Sequence, residues 1–162
     1  MQGIRWVRAS ADQGNGEAQY RLALMLANGI ATTRDDAQAM MWYEKAAAAG
    51  VAAAQTNLGA RYASGIGVTQ DFARAVQWFR KAADRGDASA QFNLGVMYAN
   101  GSGTPVDLVE AYKWLTLAAA AARGDEQQRY AATRETLGRR MTPEEQSQAQ
   151  RRAQEWRRET DR

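Results

Sequence analysis

The side chains with the strongest claim to acid–base chemistry are two carboxylate pairs, Asp35-Asp36 and Glu144-Glu145. Paired acids can act as proton donor and acceptor when their surroundings separate their pKa values. Both pairs stand where a helix is expected to begin. There a carboxylate has a simpler task, accepting from free backbone N–H groups and meeting the positive end of the helix dipole. The chain has no His and no Cys. That removes most proton-shuttle and thiol chemistry, every disulfide, and the usual soft ligands for zinc or iron. No Ser-x-x-Lys, Gly-x-Ser-x-Gly or phosphate-loop motif is present. The Gly-x-Gly pieces at Gly65 and Gly67 and at Gly101 and Gly103 follow no expected strand and precede no Lys, so they read as turns. No catalytic residue, metal or cofactor is therefore expected, and the chain is not expected to be an enzyme.

What remains is the chemistry of recognition. Asn28, Asn57, Asn93 and Asn100 each offer a donor and an acceptor to a peptide backbone. Arg61 offers a carboxylate a two-pronged donor, and Met25 and Met97 offer adaptable apolar contact. These residues fall at helical spacing with Arg21, Leu24 and Ser64: Arg21, Leu24, Met25, Asn28; Asn57, Ala60, Arg61, Ser64; and Asn93, Val96, Met97, Asn100.

The elements that must position them come from an internal repeat. Trp6, Trp42, Trp78 and Trp114 are each 36 residues apart, and so are Gly29, Gly65 and Gly101; Leu22, Leu58 and Leu94; Gln19, Gln55 and Gln91; and Asp35, Asp71 and Asp107. Each unit reads as two helices. The first carries apolar positions at helical spacing (Ala18, Leu22 and Leu26 in the first unit) and stops at Gly29, Gly65 or Gly101. The second opens at Asp35, Asp71 or Asp107 and runs through the Trp to the next Gly turn. Small residues, Gly59 and Gly95 with Ala39, Ala75 and Ala111, let neighbouring helices approach closely. One pair cannot bury its own apolar face, so stability comes from stacking neighbours. The expected class is all-α, a right-handed α-α superhelix of 36-residue helix-turn-helix units. The expected organisation is a single domain over 1–162: a half unit at 3–15, whole units at 16–51, 52–87 and 88–123, and a two-helix cap at 124–162.

The pattern A-Q-x-x-L-G-x-x-Y-x-x-G-x-G, then Asp, Ala-x-x-Trp and K-A-A-x-x-G, resembles the Sel-one-like repeat, a branch of the tetratricopeptide class. The stretch from Ala54 to Gly86 matches nearly position by position. The flanking units depart at Leu26, which replaces the Tyr, at Ala31, which replaces the second Gly, and at Leu117, which replaces the Lys. The tail, with Arg134, Leu137, Met141-Thr142-Pro143-Glu144, Ala149 and Trp156, resembles the helical cap of many bacterial members. Read on its own, Thr142 is a good N-cap, Pro143 suits the first helical position and Glu145 completes a capping box. The resemblance implies a solenoid whose first helices line a concave face. It places the variable stripe on that face, as a surface for a protein or peptide partner. It also brings one enzymatic alternative, a hydrolase of cell-wall or β-lactam substrates, for which this chain has neither disulfides nor an acylating motif.

Charge and length narrow the partners further. The chain has 21 basic and 18 acidic side chains, a net charge of +3. That is too small a bias to mark a nucleic-acid binder, and the basic pairs of the tail, Arg139-Arg140, Arg151-Arg152 and Arg157-Arg158, are interleaved with acids. No apolar run approaches the roughly 18 residues of a spanning helix. The N-terminus lacks an apolar core of signal-peptide length, so a cytoplasmic chain is expected as it stands, or a periplasmic one if a leader was trimmed. Trp42, Trp78 and Trp114 read as inter-repeat packing. Trp6 lies in a unit without its first helix, so its face is expected to be uncovered and to invite self-association into a homo-oligomer.

Overall fold

A computed structural model describes residues 2–160, with side chains described from Ile4 onward. Met1, Asp161 and Arg162, which the expected domain 1–162 includes, lie outside the described residues. Every regular element among the described residues is an α-helix. The chain divides into two units, residues 1–81 and 82–162. A repeat array has no single core that all elements share, because each helix pair contacts mainly its neighbours.

The first unit holds α1 (Gln2–Asp12), α2 (Gly16–Asn28), α3 (Asp36–Ala48), α4 (Ala52–Ser64) and most of α5 (Phe72–Asp84). The helix starts follow from side-chain caps. Asn15 accepts from the Ala18 N–H at 2.9 Å to open α2, and Asp35 accepts from the Gln38 N–H at 2.9 Å to open α3. Asp71 accepts from the Arg74 N–H at 3.0 Å to open α5. Such caps contribute about 1 kcal/mol each. Val51, at the equivalent place before α4, makes no side-chain cap. The stops are left-handed: Gly29 at φ 67° and Gly65 at φ 72° turn the backbone out of α2 and α4. Leu22, Leu26, Leu58, Tyr62 and Phe79 fill the interior. A Cβ on Gly59 would stand 2.8 Å from the Phe79 ring, so the absent side chain is what lets α4 and α5 close.

The second unit holds the last turn of α5, α6 (Ala88–Asn100), α7 (Leu108–Ala121), α8 (Gly124–Gly138) and α9 (Pro143–Thr160). Asp87 and Asp107 cap α6 and α7 through the N–H groups of Ala90 and Glu110. Thr142 and Glu145 form the reciprocal capping box at the start of α9: the Thr142 N–H donates to Glu145 Oε2 at 2.8 Å, and the Glu145 N–H donates to Thr142 Oγ1 at 3.2 Å. Helix α7 packs on α6, α8 and α9. Its buried Trp114 meets Trp156 of α9 edge-on at 5.9 Å, and Phe92 stacks on Tyr130 of α8 at 4.3 Å.

The recurring Gln has a role that spacing alone does not reveal. Gln19, Gln55 and Gln91 are all buried, and each Nε2 donates to the carbonyl eight residues earlier, on Ala11, Ala47 and Ala83. Those carbonyls lie in the last turns of α1, α3 and α5, where a helix leaves its C=O groups without intrahelical partners, and each also accepts from the Gly N–H of the turn that follows. In the tail, Gln146 Nε2 donates to the Gly138 carbonyl at 2.7 Å, again across eight residues. The cap thus uses the device of the repeats.

Candidate functional site

In the first unit the expected stripe is partly engaged with the chain itself. Leu24 and Met25 are half-buried, and Arg21 is exposed beside Glu17 at 3.8 Å. Asn28 and Ser64 are exposed, and each donates to a carbonyl of its own helix, Leu24 O and Ala60 O. Asn57 is half-buried and donates to the Tyr20 hydroxyl at 3.2 Å.

Arg61 is not the free cation its sequence position suggests. Its Nη1 lies 3.0 Å from Asp36 Oδ1, it also donates to the Ile66 carbonyl, and its guanidinium covers the Tyr43 ring at 5.1 Å. Only 14% of its side chain is exposed. Hydrogen bonds from Arg34 and then from Arg61 hold the Asp36 carboxyl below the usual carboxylate range. The Tyr43 phenol beneath is pushed up, mainly by burial. A Cβ on Gly67 would stand 2.7 Å from the Asp36 carbonyl oxygen, so the second loop closes against this cluster. Arg61 is therefore a tie between α3, α4 and that loop.

In the second unit the stripe opens into a cleft of about 470 Å³. Val96, Ala99 and Asn100 of α6 form one wall, and Leu115 of α7 contributes to the floor. The other wall is a single stripe of α8 and the turn after it, from Arg129 through Thr133 and Leu137 to Arg140. Thr133 and Thr136 give their hydroxyl protons to Arg129 O and Ala132 O, so the donors left to face the cleft are Asn100 and the two guanidinium groups. Arg129 lies over the Phe92 and Tyr130 rings at 5.3 and 5.2 Å. Neither Arg129 nor Arg140 has a carboxylate partner among the described residues, and no acidic residue lines the cleft. By contrast, Lys113 and Arg152 of the same unit share Glu110, at 3.3 and 2.8 Å. Burial would raise the pKa of that acid, but the two cations outweigh burial and lower it.

Two stripe residues of this unit lie differently from Asn100. Asn93 is half-buried and donates to the Ser89 carbonyl at 2.9 Å. Met97 is 6% exposed and belongs to the core, where the burial of a long apolar side chain stabilises by roughly 1.5–3 kcal/mol. Its equivalents Met25 and Arg61 are only half-buried.

The α8 wall does not stand out in the sequence, because the polar composition of the tail reads as a cap. The available signal was the run Arg129, Ala132, Thr133, Thr136, Leu137, Arg140, small or apolar in the middle and basic at both ends. A smaller crevice of about 260 Å³ is bordered by Gln91 and Trp156. The Gln91 Oε1 is buried without a partner, but so are those of Gln19 and Gln55, so it reflects the repeat rather than a site.

The carboxylate pairs do structural work: Asp35 caps α3, Asp36 pairs with two arginines and Glu145 completes the capping box. Trp114 is buried, as expected of packing, while Trp42 and Trp78 are half-buried with Lys45 and Lys81 over their rings at 4.2 and 4.3 Å. Trp6 is 77% exposed. No helix among the described residues is long and apolar enough to cross a membrane.

Comparison with known families decides the class of the chain. The Sel1 repeat model matches residues 16–51, 52–87 and 88–122. The chain belongs to the Sel1 repeat family. Among solved structures, it is similar to a Sel1 repeat protein from Oxalobacter formigenes, at 31% identity and a TM-score of 0.73, over 80% of this chain and 53% of that one. It is also similar to a protective antigen of uropathogenic Escherichia coli strains displaying an SLR fold, at 30% identity and a TM-score of 0.66, over 94% of this chain and 40% of that one. The chain thus spans about half or less of the length of these Sel1 relatives. No curated protein matches it. Sel1 repeats build a helical fold that generally serves as a scaffold for protein interactions.

Proposed function

We propose that this Sel1 repeat chain is a non-enzymatic scaffold that binds a protein or peptide partner on the first helices of its repeats. The observation that carries this reading is the division of those helices into two kinds of surface. Leu22, Leu58 and Leu94 are fully buried, and Gln19, Gln55 and Gln91 beside them are held to neighbouring helices. Next to them lies a stripe that packing leaves partly open. In the first unit it consists of Arg21, Leu24, Met25, Asn28, Asn57 and Ser64; in the second it consists of Asn93 and Asn100 beside the cleft. Half-buried apolar carbon next to amide groups suits an extended peptide or a partner helix, which brings both apolar side chains and backbone hydrogen bonds.

Selection of random peptides displayed against the full chain tests this, with hydrogen exchange mapping what the selected peptides protect. Protection of α2, α4 or α6, lost when Leu24→Glu or Asn100→Asp is introduced, is the expected result. Protection confined to α3 and α5 contradicts the assignment. The exposure of Trp6 supports a second reading, in which another copy of the chain meets α1. Sedimentation should then show an oligomer that Trp6→Glu dissociates, and a monomer at all concentrations removes that reading.

A further inference from the structure

We propose that the α6–α8 cleft of the second unit takes an extended acidic peptide segment in which one apolar residue lies between two acidic ones. The proposal rests on the scaffold reading and names the chemistry of the partner.

Three observations carry it. The first is the charge pattern of the cleft, with Arg129 at one end of the α8 wall, Arg140 at the other, and no acid between them. The second is that these cations have no carboxylate of their own among the described residues, whereas Lys113 and Arg152 in the same unit share one. Arg140 is exposed and lies over no ring among the described residues, so its guanidinium keeps its donors for an incoming group. The third is the apolar middle, where Val96, Ala99 and Ala132 offer a side chain a contact surface above the buried Leu115 and Leu137.

The spacing fixes the length of the segment. Nine helical steps carry α8 from Arg129 to its end at Gly138, about 14 Å at 1.5 Å per residue, and Arg140 stands in the turn just beyond. An extended chain covers that distance in about four steps at 3.3 Å each, so the two acids stand at the ends of a five-residue stretch. Acid, spacer, apolar residue, spacer, acid therefore matches base, small residues, leucine floor, small residues, base. A basic segment would meet like charge at both ends, and a purely apolar one would leave both guanidinium groups without partners. The Asn100 amide, on the opposite wall, is placed to meet the peptide backbone.

The probe is a fluorescein-labelled, C-terminally amidated peptide Ser-Glu-Gly-Leu-Gly-Glu-Ser, titrated with the full chain at low salt and read by fluorescence anisotropy. Saturable binding is expected, at least about 10-fold tighter than for the peptide with both acids changed to Gln, and weakened when its Leu becomes Ser. Arg140→Gln should weaken binding at least about 5-fold with an unchanged circular dichroism melt, and Arg140→Lys should restore part of the loss. Arg158→Gln, on the exposed last turn of α9, should have no effect. Equal binding of the Gln peptide overturns the proposal. So does an equal loss for Arg158→Gln, which marks diffuse charge attraction, or no saturation up to about 1 mM. A C-terminal-acid peptide that binds as well without its internal acids overturns it in favour of a carboxy-terminal clamp. In each of these cases the scaffold reading stands or falls separately, on the peptides that random selection returns and the helices they protect.

Discussion

Arg61 in the first unit and Arg140 in the second illustrate two fates of one residue type. Arg61 is held by Asp36, the Ile66 carbonyl and the Tyr43 ring, and is largely withdrawn from water. Arg140 stands at the edge of a cleft that no acidic residue lines, and has no carboxylate partner among the described residues. The first is part of the architecture, binding a loop to two helices. The second is available to a partner. The difference arises from what the fold brings nearby. The first unit presents an N-terminal turn of α3 bearing Asp36, while in the second Glu110 pairs with Lys113 and Arg152 rather than with a cleft arginine. A basic residue on a repeat surface is informative about binding only after its internal partners are known.

The contrast can be broken most severely at Gly67. An Ala there meets the Asp36 carbonyl and must also hold φ 75°, so Gly67→Ala is expected to destabilise by about 2–4 kcal/mol in urea denaturation. Arg61→Met keeps the stem and removes the charge, and is expected to cost about 1–2 kcal/mol by the same measurement. It leaves Arg34 as the partner of Asp36, at 2.8 Å. The pH dependence sharpens the point. The folded Asp36 carboxyl sits below its unfolded value, so its contribution is fully present above the ordinary carboxylate range and is lost as pH falls through the lowered folded value. Asp36→Asn should therefore shrink the loss of melting temperature between about pH 6 and about pH 3. Glu110 follows the same sign in the second unit, so Glu110→Gln should shrink that loss as well.

A smaller effect is expected at Ala31, which adopts the left-handed φ of 58° where the equivalent positions are Gly67 and Gly103. Ala31→Gly relieves a strain of about 1 kcal/mol against a somewhat smaller entropic cost, so a melting temperature raised by a degree or two is expected. Arg140→Gln should change stability least, within about 0.5 kcal/mol, because the side chain is exposed and has no carboxylate partner among the described residues.

Much of the architecture was legible in the sequence because the repeat states it several times. A Gly that ends a first helix and an Asp that opens a second are local signals, and they led to the observed starts and stops. The capping box at Thr142 was legible for the same reason. Side-chain partners between elements were not. Nothing local says that Arg61 would find Asp36, 25 residues earlier, or that Met97 would be buried where Met25 is half open. The cleft is not legible in the sequence because its second wall belongs to the tail, whose polar composition conceals one stripe of small and apolar residues.

The most direct test is to measure, side by side, the melting temperature and the affinity for the acidic peptide of Arg61→Gln and Arg140→Gln. Arg61→Gln should melt several degrees lower and bind the peptide as the parent does, while Arg140→Gln should melt with the parent and bind at least about 5-fold more weakly. The opposite pattern, with Arg61→Gln losing the peptide at unchanged stability and Arg140→Gln keeping it, would contradict the account.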